Sequence, residues 1–228
     1  MRRVLNVIRL QMINRQTFIW VPLIVLAGAT VISVLIYAMI PVDTPKYGGG
    51  GQAPLWYFFA IGISAMSLTF PFSQAMSITR RDFFLGTMLT AVLASAFMGL
   101  LFLIGGGIEM VTNGWGVNGY VFYLPDLWRV GWFGAWTVYF TLALFLFVLG
   151  FTGATIYKSW GLTVLTIVWV TLALILVGLV FLTTRLNLWE QVWHTIGDLG
   201  SFGLALWGLV VTAVCMTVSF IAFRRTVP

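Results

Sequence analysis

Six runs along the chain, roughly 18–40, 55–76, 83–108, 128–150, 161–182 and 201–223, are apolar almost without interruption. A helix of about 20 such residues matches the hydrocarbon thickness of a bilayer. In water every face of each helix would need cover, and a chain of 228 residues that is 61% hydrophobic and 8% charged has no polar surface to supply it. The runs are continuous rather than alternating, which excludes a membrane β-barrel. The expectation is an all-α integral membrane protein: a single domain over 1–228 with six transmembrane helices.

Residues 1–17 precede the first run. Val4, Leu5, Ile8, Met12 and Ile13 recur there at helical spacing with arginines between them, which predicts an amphipathic helix on the cytoplasmic leaflet. A basic orienting tail with some helix is the plainer alternative. The first run is too long for the apolar core of a cleaved signal, so it reads as retained.

Six crossings put both ends on one side, and charge selects the side. With the N-terminus inside, Arg2, Arg3, Arg9, Arg15, Arg80, Arg81, Lys158, Arg224 and Arg225 are cytoplasmic, against Lys46, Arg129 and Arg185 outside. This is a firm positive-inside bias carried by short juxtamembrane segments. It also accounts for the net charge of +6 without a nucleic-acid partner. The expected arrangement is multi-pass in a membrane, with both termini cytoplasmic.

Three external segments remain. "PVDTPKYGGGGQAP" reads as a flexible loop, since a glycine run without strand and helix around it is no phosphate cradle. "TNGWGVNGY" reads as turns. In "TTRLNLWEQVWHTIGDLG", Trp189, Val192, Trp193 and Ile196 fall at i, i+3, i+4, i+7, which predicts a short helix resting at the outer interface. His194, the one histidine, reads there as an interfacial polar residue rather than a metal ligand. Cys215 reads as a packed residue of the sixth run.

Within the runs, Ala91, Ser95 and Gly99 stand four residues apart and form a helix-packing face. Pro71 withdraws a backbone donor near the end of the second run and is expected to kink it. No nucleophile and base, paired carboxylates or metal-ligand cluster stands inside a run, so no catalytic or metal residue is assigned. The scarcity of intramembrane charge speaks against proton coupling. No phosphate-binding G-x-x-x-x-G-K-[ST] pattern occurs, so any nucleotide chemistry belongs to a separate chain.

Scarce charge is concentrated in "SITRRDFFLGT", between the second and third runs. Thr79-Arg80-Arg81-Asp82 fits the [ST]-x-x-[DE] capping box, which accounts for Thr79 and Asp82. Arginines at a helix N-terminus oppose the macrodipole, so Arg80 and Arg81 need another reason. Two remain open: topological anchoring, or contact with an acidic cytoplasmic partner.

The run "FPFSQAMSITRRDFFLGT" resembles the segment between the second and third helices of ABC-2 type transporter permeases, particularly small actinobacterial ones. Those often carry V-[ST]-R-R-x-[FL]-[FLY]-L-G-T here; this chain has Ile78 in place of the first valine. The layout of an amphipathic N-terminal helix, six spans and no ATPase domain is similar too.

The resemblance implies a type V exporter-like permease, the membrane subunit of an ABC exporter that is itself no enzyme and holds no cofactor. ATP and magnesium would sit on an ABC ATP-binding subunit. A coupling segment would include Ser73, Ser77, Ile78, Thr79, Arg80, Arg81 and Asp82. It further implies a dimer with a second permease copy or paralogue, and a substrate path between the second and fifth helices. Ser64, Ser67, Thr69, Thr163 and Thr166 would then be pathway residues, or else hydroxyls bonding back to their own helices. A non-transporting membrane scaffold or sensor that docks a cytoplasmic protein is the alternative function. An intramembrane enzyme would require an activity dependent on Glu109 and His194 together.

Overall fold

The computed structural model describes residues 7–11 and 16–223, and these are almost entirely helical. Val4, Leu5, Met12, Ile13 and the arginines at 2, 3, 15, 224 and 225 lie outside the described residues. Helix α1 (Gln16–Met39) opens with a π turn over Gln16–Trp20. After a loop come α2 (Gly49–Ala75) and α3 (Arg80–Val111), then the short α4 (Pro125–Trp128), α5 (Gly131–Arg185) and α6 (Trp189–Phe223). All but α4 are long and apolar enough to cross a membrane.

Two of these helices are broken. α5 has 55 residues, which as one straight helix would reach about 80 Å, far more than a bilayer. Gly161, at φ 83°, interrupts it. Gly200, at φ 60°, interrupts α6 in the same way, and these left-handed conformations suit a residue without Cβ. The chain reverses between the breaks: Phe151 and Phe223 meet at one end of the bundle, whereas Ser201 bonds the Asp126 carbonyl at the other. Segment 162–199 therefore returns from the first end to the second, and none of its residues is buried.

The core forms where α2, α3, segment 131–160 and segment 201–223 meet. α2 and α5 touch backbone to backbone: a Cβ on Gly62 would lie 2.1 Å from the Phe147 carbonyl oxygen, and one on Gly150 the same distance from that of Phe59. Small residues at a crossing allow such an approach, and van der Waals packing then holds the pair. Ala91, Ser95 and Gly99 are all buried, and Trp136 lies over Gly99 while its indole donates to the Ala96 carbonyl. On α6 the buried positions Ala205, Thr212 and Ser219 recur every seven residues, a straight seam.

Two sequence expectations change. The helix expected to end at 150 continues to 160, so no separate polar connection precedes Gly161. Near Pro71 the chain forms a π turn over Ala65–Thr69, with the Phe70 N–H bonding the Ala65 carbonyl, and α2 resumes with the proline in its first turn. Pro71 therefore sits where its missing donor costs least, and the irregularity falls one turn earlier.

Candidate functional site

The turn joining α2 to α3 is closed at both sides. α2 ends at Ala75 with Met76 as its C-cap, and Ser77 adopts φ 56°. The Ile78 N–H reaches the Ser73 carbonyl at 3.1 Å and the Ser77 N–H reaches that of Gln74 at 3.0 Å. These two bonds are the Schellman pattern, with a serine where glycine is usual. The Gln74 side chain adds a bond to the Ile78 carbonyl.

Thr79 then caps α3 from an extended conformation. Its Oγ1 accepts the Asp82 N–H at 3.2 Å, and its hydroxyl donates to Asp82 Oδ2 at 2.7 Å. The aspartate thus reaches the cap's hydroxyl rather than its N–H, a variant of the box that still puts a negative charge in the first helical turn. Arg81 is exposed and Arg80 half-buried. Ser73, expected at a contact surface, is buried and donates to the Phe70 carbonyl, so it holds the turn from within.

Beneath the turn lies a cluster of phenylalanines. Phe223 packs edge-on against Phe70 with centroids 4.8 Å apart, and Phe83, Phe84 and Phe151 lie within 6.2 Å of it. The Lys158 ammonium sits 5.3 Å over the Phe70 ring and has no hydrogen-bond partner among the described residues. The described part of the N-terminal segment also enters here. Gln11 is buried and donates to Thr87 Oγ1 on α3 at 2.8 Å, and Val7 is buried beside it, while Arg9 stays exposed. This stretch packs into the bundle through a face that includes an amide.

The opposite end is ordered by two charged side chains. Glu109, in the last turn of α3, is fully buried. Its Oε1 accepts the Trp115 indole N–H and the Val121 N–H, each at 2.9 Å. Its Oε2 accepts the N–H groups of Phe122 and Tyr123 at 2.9 and 2.7 Å. Four donors fill the lone pairs of a carboxylate, so the charge is fully solvated by the protein. Lys46 performs the matching task at the end of α1, donating to the carbonyls of Tyr37, Ile40 and Val117 at 2.9–3.2 Å.

These contacts overturn the reading of the first external segment as a flexible loop. Strand β1 (Lys46–Tyr47) pairs in parallel with β2 (Gly119–Tyr120), and Gly49–Gln52 form a 3₁₀ turn. The glycine run lies against α1, where a Cβ on Gly48 would meet the Tyr37 hydroxyl at 2.0 Å and one on Gly50 the Ser33 hydroxyl at 2.1 Å. The second external segment is likewise built around Glu109 rather than being a set of free turns.

The proposed pathway hydroxyls are spread along two helices. Ser64 donates to the Ala60 carbonyl and Thr166 to that of Leu162, each at 2.9 Å, so both bond back to their own helices. Ser67 and Thr163 are exposed, and Thr69 is half-buried. His194 is exposed beside Trp193, and the Trp189 indole donates to the Thr184 hydroxyl.

Sequence reasoning named Glu109 and Lys158 without their roles here and passed over Gln11. The available signal was rarity: an acid and an amide each flanked by apolar residues, and one of only two lysines, between Tyr157 and Ser159. Comparison with protein-family models, with curated proteins and with solved structures finds no match to this chain.

Proposed function

We propose that this chain is the membrane subunit of an ATP-driven exporter, crossing a bacterial cell membrane six times with both ends in the cytoplasm. In this reading segments 131–160 and 162–185 are separate crossings, and the α2–α3 turn faces an ABC ATP-binding subunit. ATP and magnesium are held by that partner, and a second permease copy or paralogue completes the transporter. The substrate class is hydrophobic or amphipathic, with Ser64, Ser67, Thr69, Thr163 and Thr166 beside its route.

The observation that supports this reading is the turn itself. A coupling element must move as a unit when pushed, and 73–82 is locked by a Schellman closure, a capping box and a buried serine. Its base rests on Phe70, Phe83 and Phe223, which belong to α2, α3 and α6, so a displacement of the turn bears on three spans at once. Ser77, Thr79, Arg81 and part of Arg80 provide the outward surface, with Ile78 and Asp82 fixing its shape.

The test is co-purification of the tagged chain with candidate ATPases, for the wild type and for Arg80→Glu/Arg81→Glu. The expected outcome is that an ATPase co-elutes and the double reversal removes it, while membrane insertion and elution of the chain are unchanged. If no ATPase co-elutes, or the reversal only disturbs insertion, the arginines are topological anchors and the exporter reading fails.

A further inference from the structure

A short cleft opens between the first turns of α3 and the last turns of α6. Arg81, Phe84 and Leu85 line it from α3, and Met216, Thr217 and Phe220 from α6, around a volume of about 330 Å³. The Phe84 and Phe220 rings, with centroids 5.1 Å apart, join the two helices there. From Arg81 to Leu85, and again from Met216 to Phe220, the helices rise about 6 Å. A cation therefore stands a single turn away from apolar walls, on the side of the bundle's end.

Charge shows what the cleft lacks. Arg81 is exposed, and its side chain has no hydrogen bond or ion pair among the described residues. The Thr217 hydroxyl is taken by the Ala213 carbonyl, so the donors left for an occupant are those of the guanidinium. Of the chain's six carboxylates, Asp82 stands at this end, turned to the Thr79 hydroxyl. Asp43, Glu109 and Asp126 belong to the other end, and Glu190 and Asp198 to the stretch before Gly200 that returns there.

A second copy in the same orientation could thus offer Arg81 only an acid that is already bonded. A docked helix would also set its anchors at i, i+3 or i+4 and i+7, over about 10 Å, and these walls are little more than half as long. An acidic cytoplasmic protein would meet the charge but not Leu85, which is exposed one turn further into the apolar span. A molecule with an anion directly above an apolar chain satisfies both features, and a bilayer is made of such molecules.

We propose that this cleft binds the headgroup of an anionic phospholipid, with its phosphate on the Arg81 guanidinium and the first carbons of one acyl chain against Leu85, Met216 and Phe220. Arginine suits the task because its planar fork bonds two phosphate oxygens at once. The site requires a bilayer but no ATPase, so it stands if the co-purification above fails, and the exporter reading stands if the site fails.

The test uses the full chain, purified in detergent without any ATPase and offered equal amounts of phosphatidylglycerol and phosphatidylcholine, with bound lipid counted by native mass spectrometry. The wild type should retain phosphatidylglycerol through dilution in preference to phosphatidylcholine. Arg81→Gln removes the cation and Thr217→Trp fills the cleft from an exposed position, and each should abolish that retention. The two changes lie on different helices, so either variant that elutes and melts like the wild type decides the outcome. Arg129→Gln, at an exposed arginine of the opposite end, should retain the lipid. Glycerol 3-phosphate, the same anion without acyl chains, should not displace it. The site is overturned if the two lipids are retained alike, if a folded cleft variant keeps the lipid, if Arg129→Gln loses it equally, if glycerol 3-phosphate displaces it, or if Thr217→Trp instead dissociates a dimer of the chain.

Discussion

Glu109 shows how one side chain can organise a surface. A carboxylate at a helix C-terminus opposes the macrodipole, and a buried one costs several kcal/mol unless its oxygens are bonded. Here four N–H groups from 115–123 supply those bonds, so the acid and the segment folded over it each require the other. Glu109→Gln keeps the shape but points an amide N–H₂ at two donors, and each donor left unpaired costs about 1–3 kcal/mol. We expect a clear fall in unfolding temperature in detergent, followed by tryptophan fluorescence. An unchanged temperature would mean that the clasp is replaceable by water.

Ser77 offers the opposite case, a residue that is not the best for its place. A left-handed conformation costs a residue with Cβ about 1–2 kcal/mol relative to glycine. Ser77→Gly should therefore raise stability by about 1 kcal/mol. The ATPase binding proposed above should be retained in that variant, because the Schellman closure uses backbone groups only.

Among the elements, the α2–α5 crossing is the most demanding contact. Gly62→Ala and Gly150→Ala each drive a methyl group into a facing carbonyl, and overpacking of this kind costs about 1–3 kcal/mol. Gly153 provides the control: it lies in the same helix with nothing within 4 Å of its missing Cβ. Gly153→Ala should be neutral or stabilising by about 0.5–1 kcal/mol, since alanine suits a helix interior better than glycine does. Thermal melts of the three variants decide the matter; equal behaviour would mean that the helices separate freely.

What could be read from the sequence divides along the same lines. Apolar runs report their environment locally, so the long helices and the break before Ser201 were legible, as was the cap at Thr79, which depends on residues three apart. The clasp was not, because three of the four donors to Glu109 are backbone N–H groups 12–14 positions away, which any sequence possesses. The glycine run misled for a related reason. Composition makes "GGGG" a linker, whereas Gly48 and Gly50 are small because Tyr37 and Ser33 on another helix stand where side chains would be. Such approaches between distant segments leave no periodic trace.

At the scale of the whole molecule the structure divides into a packed bundle and the unburied segment 162–199, joined to it at Gly161 and Gly200. The aromatic cluster under the turn belongs to the bundle, yet it draws one of its rings from residue 223. Removal of segment 201–223 should leave the turn without its seat while most of α2 and α3 remains packed. Limited trypsinolysis at Arg80 and Arg81 reads this out: the full chain should resist cleavage there and the truncated one should not.

That geometry also sets an order of events during synthesis. Phe223 leaves the ribosome roughly 140 residues after Phe84, which at about 5–20 residues per second is a delay on the order of ten seconds. Until then the half-made protein sits in the membrane with its turn unsupported. Only a chain translated through residue 223 presents a finished turn, so under the proposed function an unfinished copy would offer a partner no seat, barred by the timing of its own manufacture.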